Sequence, residues 1–242
     1  MMLENMKKIV VSLVIVLSTI TAATAQTAEE IIAKSIEARG GAAKLNALKS
    51  MRMENVISVM GMEIPSTSVI VHKRGMRNET EVMGQKIVVG VDGNNGWMVN
   101  PMTGSTTPIP LPDDQLKNSM SQMDLSGMAN YKEAGATVEL LGKEAVDGND
   151  AYKIKMTTKE GGVSTYFISA KNFYPIRMDM SGEVNGQAFS AQTKMSDYRV
   201  IDGIAFPFLM EVNSPQGAVV VNTKKLEVNP TVDESIFVQP KN

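Results

Sequence analysis

His72 is the one histidine of this chain, and there is no cysteine at all. Those two counts remove much of the chemistry that side chains can do. No catalytic triad, no HExxH helix and no His-rich metal site is assembled around His72. A lone histidine on a strand reads as a packed or surface residue. Without cysteine there is neither a thiolate metal site nor a disulfide. No Walker loop occurs, and no GxGxxG precedes a helix; Gly90, Gly93 and Gly96 fall in a strand and a hairpin turn instead. Asp113-Asp114 and Asp233-Glu234 carry acid–base chemistry in principle, but both pairs read as a helix start or a solvated turn. No catalytic residue, metal or cofactor is assigned, and the chain is expected not to be an enzyme.

Two polar residues stand out. Arg74 ends a strand just before Gly75, where its five-donor fork could reach across the mouth of a curved sheet and hold a lid through backbone carbonyls. The plainer reading is a solvated cation at a strand end. Trp97 follows the Asp92-Gly93 turn and either lines a cavity mouth or anchors a core.

The elements that must position these residues are mostly strands. From Met51 to Val228 the hydrophobic period is two, in a ladder of roughly ten short strands separated by turn signals such as Asp92-Gly93, Asp147-Gly148, Asn185-Gly186 and Asp202-Gly203. Connections of hairpin length make neighbouring strands antiparallel. Thr27 to Leu48 reads as a helix capped by Thr27 and interrupted at Gly40-Gly41. Pro101 to Pro112 cannot form a central strand. Asp113 to Met123 reads as a helix with Leu116, Met120 and Met123 on one face, followed by a weakly patterned, mobile stretch to Gly135; together they suit a lid.

So few helices cannot cover so broad a sheet. The expected fold is mainly β (α+β): an antiparallel, unclosed half β-barrel, with the N-terminal helix and the helical lid in its concave face. Methionine fills many apolar positions of the ladder, Met51, Met53, Met178, Met180, Met195 and Met210 among them, which suits a surface that fits soft apolar partners. An ordinary core is the alternative. The expected lining comprises Met53, Ile57, Val89, Trp97, Ile176, Met178, Met180, Phe206, Phe208 and Met210. Both faces of several strands carry apolar residues, so alternation leaves the inward face open.

Residues 1–25 read as an export leader: Lys7 and Lys8, an apolar run from Ile9 to Ile20, then Ala23-Thr24-Ala25 with cleavage before Gln26. Residues 26–242 are then a single domain in the periplasm. The net charge of −2 carries no basic run, which argues against nucleic acid.

Val71-His72-Lys73-Arg74, Arg77, Val91-Asp92-Gly93, Trp97 and Asn100-Pro101 together resemble the periplasmic lipoprotein carriers of the LolA-like fold. The segments Asp197-Tyr198-Arg199, Asp202 to Phe208, and Asp233 to Phe237 resemble the outer-membrane lipoprotein-sorting relatives of that group. Gly75 stands where the carriers have proline. The resemblance implies a hydrophobic hollow that takes the acyl chains of lipoproteins or another lipid, with Arg74 holding the lid closed. It also implies a chaperone-like carrier working between an inner-membrane release complex and an outer-membrane acceptor. A monomer is expected. The alternative is a periplasmic sensor or assembly factor that docks an envelope protein in the same concave face, without lipid transport.

Overall fold

The computed structural model describes residues 26–184, 187–215 and 217–241. The expected leader at 1–25, the expected turn signal Asn185-Gly186, Gln216 and Asn242 lie outside them. Helix α1 (Ala28–Ala38) starts on a capping box: the Thr27 hydroxyl accepts from the Glu30 N–H at 3.2 Å, and the Glu30 carboxylate accepts from the Thr27 N–H at 3.1 Å. The helix stops because Gly40 and Gly41 take φ of +122° and +87°. Gly40 also lies so close to the Gly203 carbonyl that a Cβ would meet it at 2.3 Å. A second short helix, α2 (Ala42–Asn46), follows.

Thirteen strands then form one antiparallel sheet: β1 (Ser50–Val59), β2 (Met62–Val71), β3 (Gly75–Val82), β4 (Gln85–Asp92), β5 (Asn95–Asn100), β6 (Ser105–Pro110), β7 (Thr137–Val146), β8 (Asn149–Thr157), β9 (Val163–Ser169), β10 (Pro175–Val184), β11 (Gln187–Ile201), β12 (Ile204–Ser214) and β13 (Gly217–Val228). Four of the hairpins turn on a residue–glycine pair with both φ positive: Met60-Gly61, Met83-Gly84, Asp147-Gly148 and Asp202-Gly203. That geometry matches the natural twist of the flanking strands. Met60 and Met83 therefore sit exposed at turn tips and contribute nothing to a core. The Pro-rich segment becomes β6, an edge strand, where Pro108 and Pro110 cost no central ladder bonds.

Strand order runs β6-β5-β4-β3-β2-β1-β13-β12-β11-β10-β9-β8-β7. Among the described residues, only the β1–β13 pairing joins strands distant in sequence. The sheet does not close: β6 and β7 are consecutive in the chain yet lie at opposite edges. The segment between them, residues 111–136, carries helix α3 (Asp113–Gln122) across the hollow from one edge to the other. This is the half-barrel with helices in its concave face.

Three apolar clusters mark what the concave face holds. Ile31 and Ile32 of α1 pack with Met128, Tyr131, Ile154, Met156 and Ile168. Leu45 and Leu48 pack with Met51, Ile204, Phe206, Phe208 and Leu226. Leu111 and Met123 pack with Ile70, Met76 and Val91. The stretch after α3 is thus pinned at Leu125, Met128 and Tyr131 rather than loose, because each of these side chains enters a cluster.

Candidate functional site

Strand pairing turns the concave face into rows. One row of directly paired residues crosses eight strands: Ile154, Tyr166, Met178, Thr193, Val212, Val219, Val59 and Met62. A second joins Ile64, Ile57, Val221, Met210 and Met195. Ile57, Val59, Val212, Val219, Val221, Met178, Met195 and Met210 are only half-buried. A polar band (Thr80, Ser66, Asn55 and Thr223) separates these rows from the part of the floor under the lid, and Thr223 donates to the Asn55 side chain at 2.9 Å. The concave floor is therefore covered at one end by the protein's own helices and stays partly open and apolar at the other. The outer face is different. One cleft there, of about 330 Å³, is lined by the charged residues Glu54, Glu79, Glu81, Lys86 and Lys224 together with Val56 and Pro65.

The lid is tied down at the corner after β2. The Lys73 backbone N–H donates to the Met123 carbonyl at 3.0 Å, and the Lys73 ammonium pairs with Asp124 at 3.2 Å. The Leu125 N–H donates to His72 Nδ1 at 3.1 Å, which requires a free lone pair on that nitrogen. Burial pushes the Asp124 carboxyl upward, but hydrogen bonds from Ser126 and Lys73 outweigh it and leave it below its ordinary value.

Arg74 turns the other way. Its guanidinium pairs with Asp92 at the end of β4, and Nε lies 3.0 Å from Glu234 in the C-terminal turn. Its neighbours His72 and Lys73 make the lid contacts. Sequence reasoning set His72 aside as packed or surface. The signal was its position beside Lys73-Arg74 at a strand end, which says nothing about a partner 53 residues away.

The expected lining residues divide. Met53 and Val89 are on the concave face beneath Leu116, Met123 and Leu125, while Phe206 and Phe208 are buried under α2. Ile57, Met178 and Met210 belong to the open rows, and Met180 shares the face of Met178, paired with Ser164 and Ala191. Trp97 is not there. It is 2% exposed on the outer face, pressed on Gly90, with Nε1 donating to the Phe237 carbonyl at 2.7 Å. Gly75 is explained by the same packing, since a Cβ would meet the Phe237 ring at 2.5 Å. Ile176 is also misplaced by simple alternation. A bulge between Pro175 and Arg177 makes it the extra residue, so it packs outside with Val146, Ala151 and Phe167. In the lid, Leu116, Ser119 and Met123 face inward, whereas Met120 rolls out to 37% exposure. The acidic candidates are accounted for locally: Asp113 and Asp114 open α3, and Asp233 accepts from the Ser235 N–H.

An unclosed antiparallel barrel spanned by a helical lid is the LolA-like fold, and solved structures agree. A LolA superfamily protein from Nitrosomonas europaea superposes with a TM-score of 0.59 at 16% identity, over 88% of this chain and 98% of that one. A DUF1329 family protein from Desulfovibrio piger gives 0.59 at 15% identity, over 88% and 98%. A domain named for outer membrane lipoprotein sorting, from Vibrio parahaemolyticus, gives 0.52 at 12% identity, over 86% and 94%. A family model described as "Uncharacterized protein" matches residues 76–241, and the chain belongs to that family. No curated protein matches it in sequence.

Proposed function

We propose that the protein is a non-enzymatic lipid carrier of the bacterial periplasm, binding the acyl chains of lipoproteins or of another lipid in the half-barrel and passing them toward the outer membrane. The observation that carries this reading is the half-buried apolar floor, from Met178 to Val59, beside a lid held by few polar contacts. Each methylene buried there contributes about 0.8 kcal/mol, so long chains bind with few directed contacts. Lifting the lid would add the surface of Met53, Val89 and Met76 to the same floor. The corner His72-Lys73-Arg74 is the latch. His72 and Lys73 touch the lid, and Arg74 braces the corner against Asp92 and Glu234. An exported location follows from the leader at 1–25, and release and acceptor partners from the carrier role.

Denaturing mass spectrometry of protein purified without detergent tests the reading. A co-purifying lipid or acylated protein, at a substantial fraction of the protein, is the expected result. Protein that is empty, and that also takes up no lipid when exposed to vesicles, would overturn it.

A further inference from the structure

Arg39 ends α1 inside the hollow, and no carboxylate answers it. The other five arginines, Arg52, Arg74, Arg77, Arg177 and Arg199, each pair with an aspartate or glutamate. Among the described residues Arg39 has no such partner within 4.0 Å. Its side-chain hydrogen bond is a long one, 3.5 Å from Nε to the Ala205 carbonyl. Tyr166 and Tyr198 are within electrostatic reach, and burial depresses the basicity of the guanidinium, though an arginine stays charged there. Ser35, one helical turn earlier on the same face of α1, and Tyr131 of the lid segment each hold a buried hydroxyl with no partner. Buried polar groups left unpaired cost free energy and call for a missing partner.

The position of Arg39 gives that partner a shape. Tyr166, its neighbour, heads the open row that continues through Met178, Thr193, Val212 and Val219 to Val59. At the usual strand spacing of about 4.8 Å, Met178 to Val59 covers roughly 19 Å, the scale of a long acyl chain. The lid crosses above: a Cβ at Gly127 would stand 4.0 Å from Arg39 Nη1, so opening the lid uncovers the guanidinium.

We infer that Arg39 anchors the oxyanion headgroup of an amphiphile, carboxylate or phosphate, whose chain lies along the row from Met178 to Val59. This rests on the lipid-binding reading and narrows its ligand class, since an acyl chain alone offers a guanidinium nothing to bind. Tyr166 and Ser35 would complete the cradle as neutral donors, and Arg supplies the fork that matches a planar carboxylate.

Competition against a fluorescent fatty acid on lipid-free full-length protein, using oleate, oleyl alcohol and inorganic phosphate, tests the assignment. Wild type should bind oleate on the order of tenfold to a hundredfold more tightly than oleyl alcohol. Arg39→Gln should erase that preference and leave the alcohol unchanged, and Arg39→Lys should restore part of it. Equal binding of acid and alcohol by wild type would overturn the inference while leaving the lipid reading intact, and needs no variant to fold. A preference surviving in Arg39→Gln would overturn it as well. Inorganic phosphate competing as well as oleate would replace the headgroup site with a small-anion site. Failure of both lipids to bind would remove the parent reading itself.

Discussion

At the level of single residues, glycines mark where backbone and ring must touch. A Cβ at Gly90 would sit 2.3 Å from the Trp97 ring, itself 2% exposed and hydrogen-bonded to Phe237. Gly90→Ala must therefore push the indole off its seat, at a cost of about 1–3 kcal/mol. Urea denaturation followed by Trp97 fluorescence should show the lower midpoint; an unchanged midpoint would mean that the ring is not confined. Arg74 and Arg39 illustrate how residue type alone misleads. Arg39 caps a helix and Arg74 lies in the turn between β2 and β3, and the one flagged by its motif is paired with acids while the other is not. A guanidinium's role depends on what faces it, and that is not written beside it in the chain.

The lid is the element on which pH should act. Asp124 holds its proton less readily than an ordinary aspartate, because Ser126 and Lys73 favour the carboxylate more than burial penalises it. A depressed folded pKa adds stability above the ordinary value of 3.8, and that contribution is lost as pH falls through the folded value. Amide exchange at Met123 to Leu125 should therefore accelerate, relative to the strands, as pH drops from about 5 to about 3, after correction for intrinsic rates. Asp124→Asn should exchange fast at both pH values. An equal protection at pH 3 and 5 in the unaltered protein would show that Asp124 does not hold the lid. The helix itself was readable: Asp113 to Met123 matches α3 within a residue. Its inward face was readable only in part, because Leu116 with Met120 and Leu116 with Ser119 both satisfy helical spacing. Packing against Val89 and Met98 selects the face on which Ser119 is buried and Met120 exposed.

On the scale of the whole molecule, the order of strands makes the hollow. Because β6 and β7 lie at opposite edges, the chain must cross the concave face to connect them, and the crossing segment is the lid. The floor beyond its reach is where a ligand chain should lie. Val219→Asp places a charge in the open row at a half-buried site of an interior strand, where lost strand preference and apolar burial cost about 1–2 kcal/mol. Oleate binding should fall at least tenfold while the thermal midpoint moves only a few degrees, measured by the same competition and by circular dichroism. Undiminished binding would move the ligand off this row.

Sequence alone determined the local features: the helix cap at Thr27, the interruption at Gly40-Gly41, most hairpin turns, the antiparallel ladder and the lid helix. Each depends on residues a few positions apart, and so each is visible in the order of the chain. The motifs from Val71 to Pro101 also pointed to the half-barrel. The tertiary structure decided which strand faces look inward, because apolar residues on both faces leave a period-two pattern ambiguous and one bulge at Ile176 inverts it. It also decided that His72 meets Leu125, that Trp97 faces out onto Phe237, and that Arg39 meets the Ala205 carbonyl in the hollow rather than an acid. Those are contacts across 53, 140 and 166 residues, made by the register of strands and the path of the lid, and no spacing along the chain encodes them.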